Sequence, residues 1–370
     1  MGETALEYEA RVAAGRRGVL VAIGVLVICC LLWGYSFPTM QIAAGAFEKH
    51  VLAKDASVVE LAGARGVFNG VRFLLAAGIY SGMVAWGRRG DRGEDAVRWG
   101  RPEWVGGFIV GAFFAAGMLL QVMGLCWTLP SVSAFLTSMA VVFAPIGQAV
   151  IFKRRVGGVV WLAVGVAVAG VVMLSWPKGG AEIASGTLAQ KPPMAHLGEV
   201  LTVLAAMMFS AEILALDWFG KGSAPHPIDP QAAAPNPAKK NRRGADSTGV
   251  TLIMLGTTGV LSLAAGLAVC GPGVWKSSAW AAVATDRTVW WSFSTLIIFS
   301  SIMALSLMAR FQPRVSPAVA SVVYCTEPIF GTLFSILFAT ETLTWTTVVG
   351  EIAVLGAVGI VGMNAGGKKE

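Results

Sequence analysis

The stretch PSVSAFLTSMAVVFAPI, residues 130–146, recurs as PRVSPAVASVVYCTEPI at residues 313–329. At this single offset of 183 positions, six of the seventeen residues are identical and no gap is needed. The identical positions include Pro145 and Ile146, which return as Pro328 and Ile329. A duplicated block inside a very apolar chain predicts a membrane protein built from two homologous halves, and that organisation favours transporters.

The composition around this repeat is typical of a membrane protein. Of the 370 residues, 55% are hydrophobic and 13% are charged, whereas a soluble domain carries about 25% charged residues. A hydrocarbon core of about 30 Å is crossed by about 20 apolar residues in a helix. Ten stretches of this kind predict an all-α polytopic membrane protein, since strands of a membrane barrel would be about half as long. They are residues 19–44, 61–86, 104–126, 131–152, 156–176, 197–219, 249–270, 288–308, 316–339 and 344–364.

Five apolar stretches precede a proline- and glycine-rich break in the chain, and five follow it. An odd number of spans in each copy places the two copies in opposite orientations. We therefore expect ten transmembrane helices arranged as two inverted five-helix repeats. The predicted parts are a tail at 1–18, a first repeat at 19–176, an outer connector at 177–196, a second repeat at 197–364 and a tail at 365–370. The second repeat contains a proline-rich, basic loop at 220–248, for which we expect disorder on the cytoplasmic side.

The net charge of +7 is distributed as a topology signal. If the N-terminus is cytoplasmic and the ten spans alternate, cytoplasmic segments contain 20 Lys and Arg residues and outer segments contain six. This bias follows the positive-inside rule and predicts that both termini are cytoplasmic. The basic excess therefore does not call for a nucleic-acid partner.

Small residues recur at four-residue spacing within the predicted spans. The pairs are Gly66/Gly70, Gly78/Gly82 and Gly107/Gly111. Two glycines four positions apart lie on one face of a helix and allow a neighbouring backbone to approach closely. We expect these faces to be sites of tight helix packing.

Several motifs in order along the chain resemble the drug/metabolite transporter superfamily, and specifically its ten-helix EamA-type branch. They are the opening Trp33-Gly34-Tyr35-Ser36-Phe37-Pro38, the run Arg72-Phe73-Leu74-Leu75-Ala76-Ala77, the stretch from Gly198-Glu199 to Phe209-Ser210, and Glu327-Pro328-Ile329-Phe330-Gly331 followed by Glu341. The resemblance implies transport of a small metabolite in a bacterial cytoplasmic (inner) membrane. The chain departs from the family pattern at Thr340, where a glycine is usual, and after Pro145, where the expected acid is missing.

Charged side chains within predicted spans are candidates for binding or coupling, because each costs about 3 kcal/mol at the bilayer centre. Glu327 lies near the middle of the ninth span, directly before Pro328. Arg72 is the most obvious buried cation; it either neutralises a substrate carboxylate or phosphate, or pairs with Glu327 or Glu212. Glu212 in the sixth span either lines a cavity or approaches the cytoplasmic headgroups.

A second set of candidates is polar and aromatic. Trp33, Tyr35 and Ser36 surround Pro38 near the middle of the first span, and Tyr324 precedes Glu327. Indole and phenol rings offer flat apolar faces and one hydrogen-bond donor each, which suits a small molecule of mixed polarity. Pro38, Pro145 and Pro328 are predicted to break their helices at a cavity and to free backbone carbonyls there. Helix packing is the alternative explanation for the aromatic residues.

The sequence contains no recognisable catalytic, metal or cofactor signature. The three histidines have no metal-ligand spacing, and no phosphate-binding loop is present, so transport would depend on solute gradients or ion coupling. We expect a secondary transporter that works by alternating access, with Glu327 as a candidate for proton coupling. Export and a homodimer are compatible with this prediction. A flippase for a lipid-linked carrier and a non-transporting membrane scaffold or sensor remain alternatives.

Overall fold

The computed structural model describes residues 5–53, 55–88, 99–124, 127, 133, 136–174, 195–220, 244–338 and 344–366. Within these ranges the chain is helical apart from turns, short connections and one isolated bridge between Gly220 and Ala245. The all-α prediction is confirmed for this part of the chain. Most of the predicted outer connector and of the loop 220–248 lies outside the described residues.

The first half contains five named helices, and the second half contains helices that are more often interrupted. The first five are α1 (Ala5–Val51), α2 (Val58–Gly87), α3 (Arg101–Gly124), α4 (Ala140–Ile151) and α5 (Gly158–Leu174). The others are α6 (Ala195–Phe219), α7 (Ser247–Val269), α8 (Ser277–Thr285), α9 (Arg287–Thr295), α10 (Ala304–Phe311), α11 (Pro317–Tyr324), α12 (Glu327–Leu337) and α13 (Trp345–Gly366). A π-helical segment, Leu296–Met303, joins α9 to α10.

Seven helices in the described residues are long and apolar enough to cross a membrane. They are Arg17–Val51, Val58–Gly87, Arg101–Gly124, His196–Phe219, Ser247–Val269, Arg287–Arg314 and Pro317–Phe334. Three shorter apolar helices, Leu136–Ile151, Gly158–Met173 and Val348–Met363, coincide with the other three predicted spans. The chain is therefore an integral membrane protein by the length and composition of its helices.

The three prolines with predicted helix breaks lie in different settings. A new helix, α12, begins at Glu327, immediately before Pro328. In contrast, α1 continues through Pro38 and α4 continues through Pro145, so the expected break is absent at both positions. A proline removes one backbone donor, and neighbouring helices in a membrane bundle allow the rest of the ladder to continue.

Glycines allow close contacts between helices of the bundle. A Cβ atom on Gly66 of α2 would lie 2.8 Å from the Cα atom of Gly266 in α7, and one on Gly111 of α3 would lie 2.9 Å from the carbonyl oxygen of Met254 in α7. Close packing is thus present at two of the three predicted glycine pairs. Among the described residues, no heavy atom lies within 4 Å of a Cβ position on Gly78 or Gly82.

The buried apolar side chains form two clusters, and each draws helices from both halves of the chain. The first combines α2 and α3 with α7 to α10, and the second combines α4 and α5 with α11 and α13. Residues of α1 belong to both clusters, and Tyr324 at the end of α11 packs against both. Tyr324 and the middle of α1 therefore mark the junction of the two clusters.

Candidate functional site

Three ionisable side chains in the interior have no ion partner in the part of the chain that the structure describes. Arg72 in α2 is 3% exposed, Glu212 in α6 is 4% exposed, and Glu327 at the start of α12 is partly buried. Among the described residues, no oppositely charged group lies within 4.0 Å of any of the three. Arg72 therefore forms no salt bridge with Glu212 or Glu327, which was one of the two alternatives that the sequence left open.

Arg72 is held by two serines of the π-helical segment. Its Nε donates to the hydroxyl of Ser301 at 3.0 Å, and its Nη2 donates to the hydroxyl of Ser300 at 2.8 Å. Its Nη1 faces the thioether sulfur of Met40 at 3.5 Å. π-Helical turns are uncommon and recur at functional sites, and this one places two consecutive hydroxyls against one guanidinium.

Trp33 connects this pair of serines to the second apolar cluster. Its indole Nε1 donates to the backbone carbonyl of Ser300 at 3.2 Å. Its ring lies against the ring of Tyr324, with centroids 5.7 Å apart and planes tilted by 56°. The middle of α1 thus bridges the arginine and the helix break before Glu327.

Tyr324 continues the chain of polar contacts toward α6. Its hydroxyl donates to Oε1 of Gln312 at 2.7 Å, and Nε2 of Gln312 donates to the carbonyl of Ile213 at 2.9 Å. Gln312 is 1% exposed, so both contacts are shielded from solvent and lipid. Ile213 is the residue after Glu212, which brings this chain of contacts to the second buried acid.

Both acids lie near Tyr324. Its hydroxyl is within electrostatic range of both Glu212 and Glu327, and Oε1 of Glu212 has no hydrogen-bond partner in the described residues. We call the connected set the polar column. It comprises Arg72, Ser300, Ser301, Trp33, Tyr324 and Gln312, with Glu212 and Glu327 beside its far end.

Two predicted site residues lie off the polar column. Tyr35 is surrounded by aromatic rings, with centroid distances of 5.4 Å to Phe334 and 6.3 Å to Phe299. The hydroxyl of Ser36 donates to the carbonyl of Trp33 in its own helix at 2.7 Å, which is the common arrangement for serine in a helix. These positions contribute to packing of α1 in this structure.

Sequence reasoning missed three members of the polar column and one buried ion pair. The sequence offers only two signals for these residues. Ser300 and Ser301 are adjacent polar residues in an apolar run, and Gln312 precedes Pro313 at the end of a span. Arg154 is one of the 20 basic residues of the predicted cytoplasmic segments. Its side chain is buried, with Nη1 3.1 Å from the carboxylate of Asp217 near the end of α6.

The described residues contain no group of three or more His, Cys, Asp or Glu side chains that could hold a metal ion. The polar column offers hydrogen-bond donors, a fixed positive charge and two acids beside aromatic surfaces. This chemistry suits the binding of a small polar molecule and the exchange of a proton.

Comparison with known proteins gives a family for the second half of the chain. Residues 238–364 match the sequence model of the EamA-like transporter family. The matched family consists of transporters rather than enzymes. No curated protein matches the chain in sequence.

The fold is also found among solved structures, of which 18 chains match. One, described only as "Crystal structure of protein", has a TM-score of 0.62 and 15% sequence identity. The match covers 92% of this chain and 96% of the other. At this identity the likeness shows a shared fold over nearly the whole length.

Proposed function

We propose, from the premise that the second half of the chain matches the EamA-like transporter family, that this protein is a secondary transporter. It moves a small metabolite across the inner membrane by alternating access. Two inverted five-helix halves move relative to each other around the polar column. Both termini lie in the cytoplasm, in keeping with the distribution of basic residues.

Three features support ten spans in two inverted halves. The three shorter apolar helices occupy the positions of the predicted fourth, fifth and tenth spans. Each apolar cluster combines helices from both halves in corresponding pairs, α2 and α3 with α7 to α10, and α4 and α5 with α11 and α13. The helices that carry the duplicated block, α4 and α11, pack against each other through Gln148, whose Oε1 accepts from the backbone N–H of Ala318 at 3.2 Å.

The observation that carries the proposal is the polar column at the junction of the two clusters. Ionisable groups in a membrane interior cost about 3 kcal/mol each on insertion scales and mark substrate and ion pathways. In this bundle Arg72, Glu212 and Glu327 are retained without ion partners in the described residues. A protein that only held its helices together would gain stability by pairing or replacing them.

Proton coupling is assigned to Glu327. Its carboxylate lies at a helix break beside Tyr324, which connects through Gln312 to α6. An acid that is protonated in one conformation of the transporter and ionised in the other shifts the equilibrium between the two conformations, because a charge in an apolar site is costly. Proton movement and solute movement are thereby linked.

The test uses the purified full-length chain in proteoliposomes. Solutes that raise its Tm in a metabolite screen are then tested for flux with and without a pH gradient, and with gradients of both signs to give the direction. We expect the pH gradient to drive flux in the wild type, and Glu327→Gln to abolish that dependence while Glu199→Gln, an acid at the start of α6 away from the column, retains it. If Glu327→Gln transported the solute at the same rate as the wild type at every pH, the coupling would be refuted.

A further inference from the structure

Arg72 does not use all of its hydrogen-bond donors in the described part of the structure. A guanidinium has five N–H donors, and here three are used, toward two serine hydroxyls and one thioether. All three acceptors are neutral, and a thioether is a weak acceptor. The positive charge of Arg72 therefore has no compensating negative charge among the described residues.

Two other arginines of the bundle show the opposite arrangement. Arg154 has the carboxylate of Asp217 at 3.1 Å, and Arg65 has the carboxylate of Glu48 at 2.8 Å. Arg65 lies in the same helix as Arg72, seven positions earlier. The most buried arginine of the three is thus the one that lacks an acid.

The two serines are also unusual in how they use their hydroxyls. Several hydroxyls in the bundle, such as those of Ser306 and Ser321, donate to a carbonyl of their own helix. Ser300 and Ser301 accept from Arg72, and in the described residues neither donates to any acceptor. Both are buried, at 4% and 0% exposure, so each has an O–H donor without an acceptor in an interior site.

These unused donors belong to side chains in direct contact. The hydroxyl oxygens of Ser301 and Ser300 lie 3.0 and 2.8 Å from nitrogens of the Arg72 guanidinium, so the unused N–H and O–H groups of all three residues are neighbours. Hydrogen-bond donors with a net positive charge and no acceptor are what an anionic oxygen group requires, and an arginine fork suits a carboxylate or phosphate in particular. The thioether of Met40 covers Nη1, and its unbranched, flexible chain can move aside.

We infer that Arg72, Ser300 and Ser301 form the binding site for an anionic oxygen group, and that the transported molecule is a small organic anion. The apolar part of that molecule packs on Trp33, whose indole is fixed against the Ser300 carbonyl at 3.2 Å. This inference rests on the proposed transport function and names the substrate class for it. A carboxylate and a phosphate monoester share the required chemistry, and the experiment separates them.

The experiment measures binding to the purified full-length chain in detergent, by the dose dependence of Tm. The probes are matched pairs of anion and neutral isostere: benzoate with benzamide, and indole-3-acetate with indole-3-acetamide. Phenyl phosphate tests the phosphate arm. We expect at least one anion to raise the Tm and its neutral isostere to have no effect.

Three variants assign the effect to the site. Because a hydrogen bond to a charged group contributes about 1.5–3 kcal/mol, Arg72→Gln should weaken anion binding by about 10- to 100-fold. The double variant Ser300→Ala/Ser301→Ala retains the charge, and should weaken binding by about tenfold; it also serves if Arg72→Gln does not fold. Arg65→Gln removes an arginine from the same helix and should bind anions as the wild type does.

Two results of the binding experiment overturn the inference. One is that no anion of the set raises the Tm of the wild type; the other is that the shift is the same in the serine double variant as in the wild type. Gradient-driven flux of a neutral or cationic solute by the wild type would also exclude the anion site while leaving the transport function intact. Absence of flux for every solute would instead refute the transport function.

Discussion

Replacing Gly266 by alanine tests the helix contact that supports the Arg72 side of the polar column. In the structure α7 lies against α2 at this glycine. A Cβ atom there would meet the backbone nitrogen of Val67, and would lie 2.7 Å from the backbone carbon of Gly66 and 2.8 Å from the carbonyl oxygen of Gly63. All three neighbours are backbone atoms, which cannot rotate away as a side chain would. Gly256, on the same helix, has no heavy atom within 4 Å of its Cβ position and is the matched control.

The magnitude follows from these distances. An ordinary contact begins at 3.4 Å, so the approach of 2.7 Å to Gly66 alone would require the helices to separate by about 0.7 Å or more. A gap of that order forfeits about a quarter to a half of the attraction of each contact along the seam. Overpacking of a tight core typically costs about 1–3 kcal/mol. Replacing glycine by alanine in a helix also gains up to about 1 kcal/mol from helix propensity. Since both variants share that gain, the difference between Gly266→Ala and Gly256→Ala should be about 1–3 kcal/mol.

The assay is unfolding of the full-length protein by SDS titration in mixed micelles, followed by circular dichroism. We expect a lower midpoint for Gly266→Ala than for the wild type or Gly256→Ala. We also expect Gly266→Ala to lose anion binding in part, because α2 carries Arg72. Equal midpoints for the two variants would refute the close approach of α2 and α7 on which the geometry of Arg72 depends.

Two further predictions concern ion pairs at the ends of helices. Arg154→Met should lower the free energy of unfolding by about 3–5 kcal/mol, because it leaves the buried carboxylate of Asp217 without this partner. The control Arg155→Met, at the exposed neighbour, should stay within about 0.5 kcal/mol of the wild type. Similar effects of the two variants in the SDS titration would contradict the burial of Arg154. The hydrogen bond from His50, at 2.8 Å, lowers the pKa of Asp286 below its ordinary value of 3.8. This contact therefore stabilises the fold above pH 3.8, and the stabilisation is lost as the pH falls through the lowered pKa. Asp286→Asn, which keeps an oxygen to cap α9, should therefore lower the Tm at neutral pH, and its difference from the wild type should shrink as the pH falls through the lowered pKa of Asp286. A difference that is constant with pH would exclude the charge effect.

The sequence predicts the helices of this bundle well because a bilayer imposes a length and an apolarity that can be counted directly. The stretch 61–86 is an example: the structure has a helix over Val58–Gly87. Arg72 and Glu327 were identifiable as candidates for the same reason, since a charge in such a stretch is conspicuous. Close packing at Gly66 follows from its spacing to Gly70.

The partners of these residues could not be predicted from the chain alone. Ser300 and Ser301 face Arg72 only because a π-helical segment changes the register of their helix, and no composition signal marks such a segment. Gln312 acquires its role from the arrangement of Tyr324 and Ile213, which are 12 and 99 positions away from it. Arg154 lies in a basic run that suggests an exposed cytoplasmic position, and its burial depends on Asp217 in another helix.

The most direct test of the central claim is solute flux in proteoliposomes that contain the wild type, Arg72→Gln, Glu327→Gln or Arg65→Gln. The solutes are those that raise the Tm of the wild type. The account predicts flux driven by a pH gradient in the wild type and in Arg65→Gln, strongly reduced flux in Arg72→Gln, and flux without pH dependence in Glu327→Gln. Flux no greater than that of empty liposomes for every stabilising solute would contradict transport through the polar column.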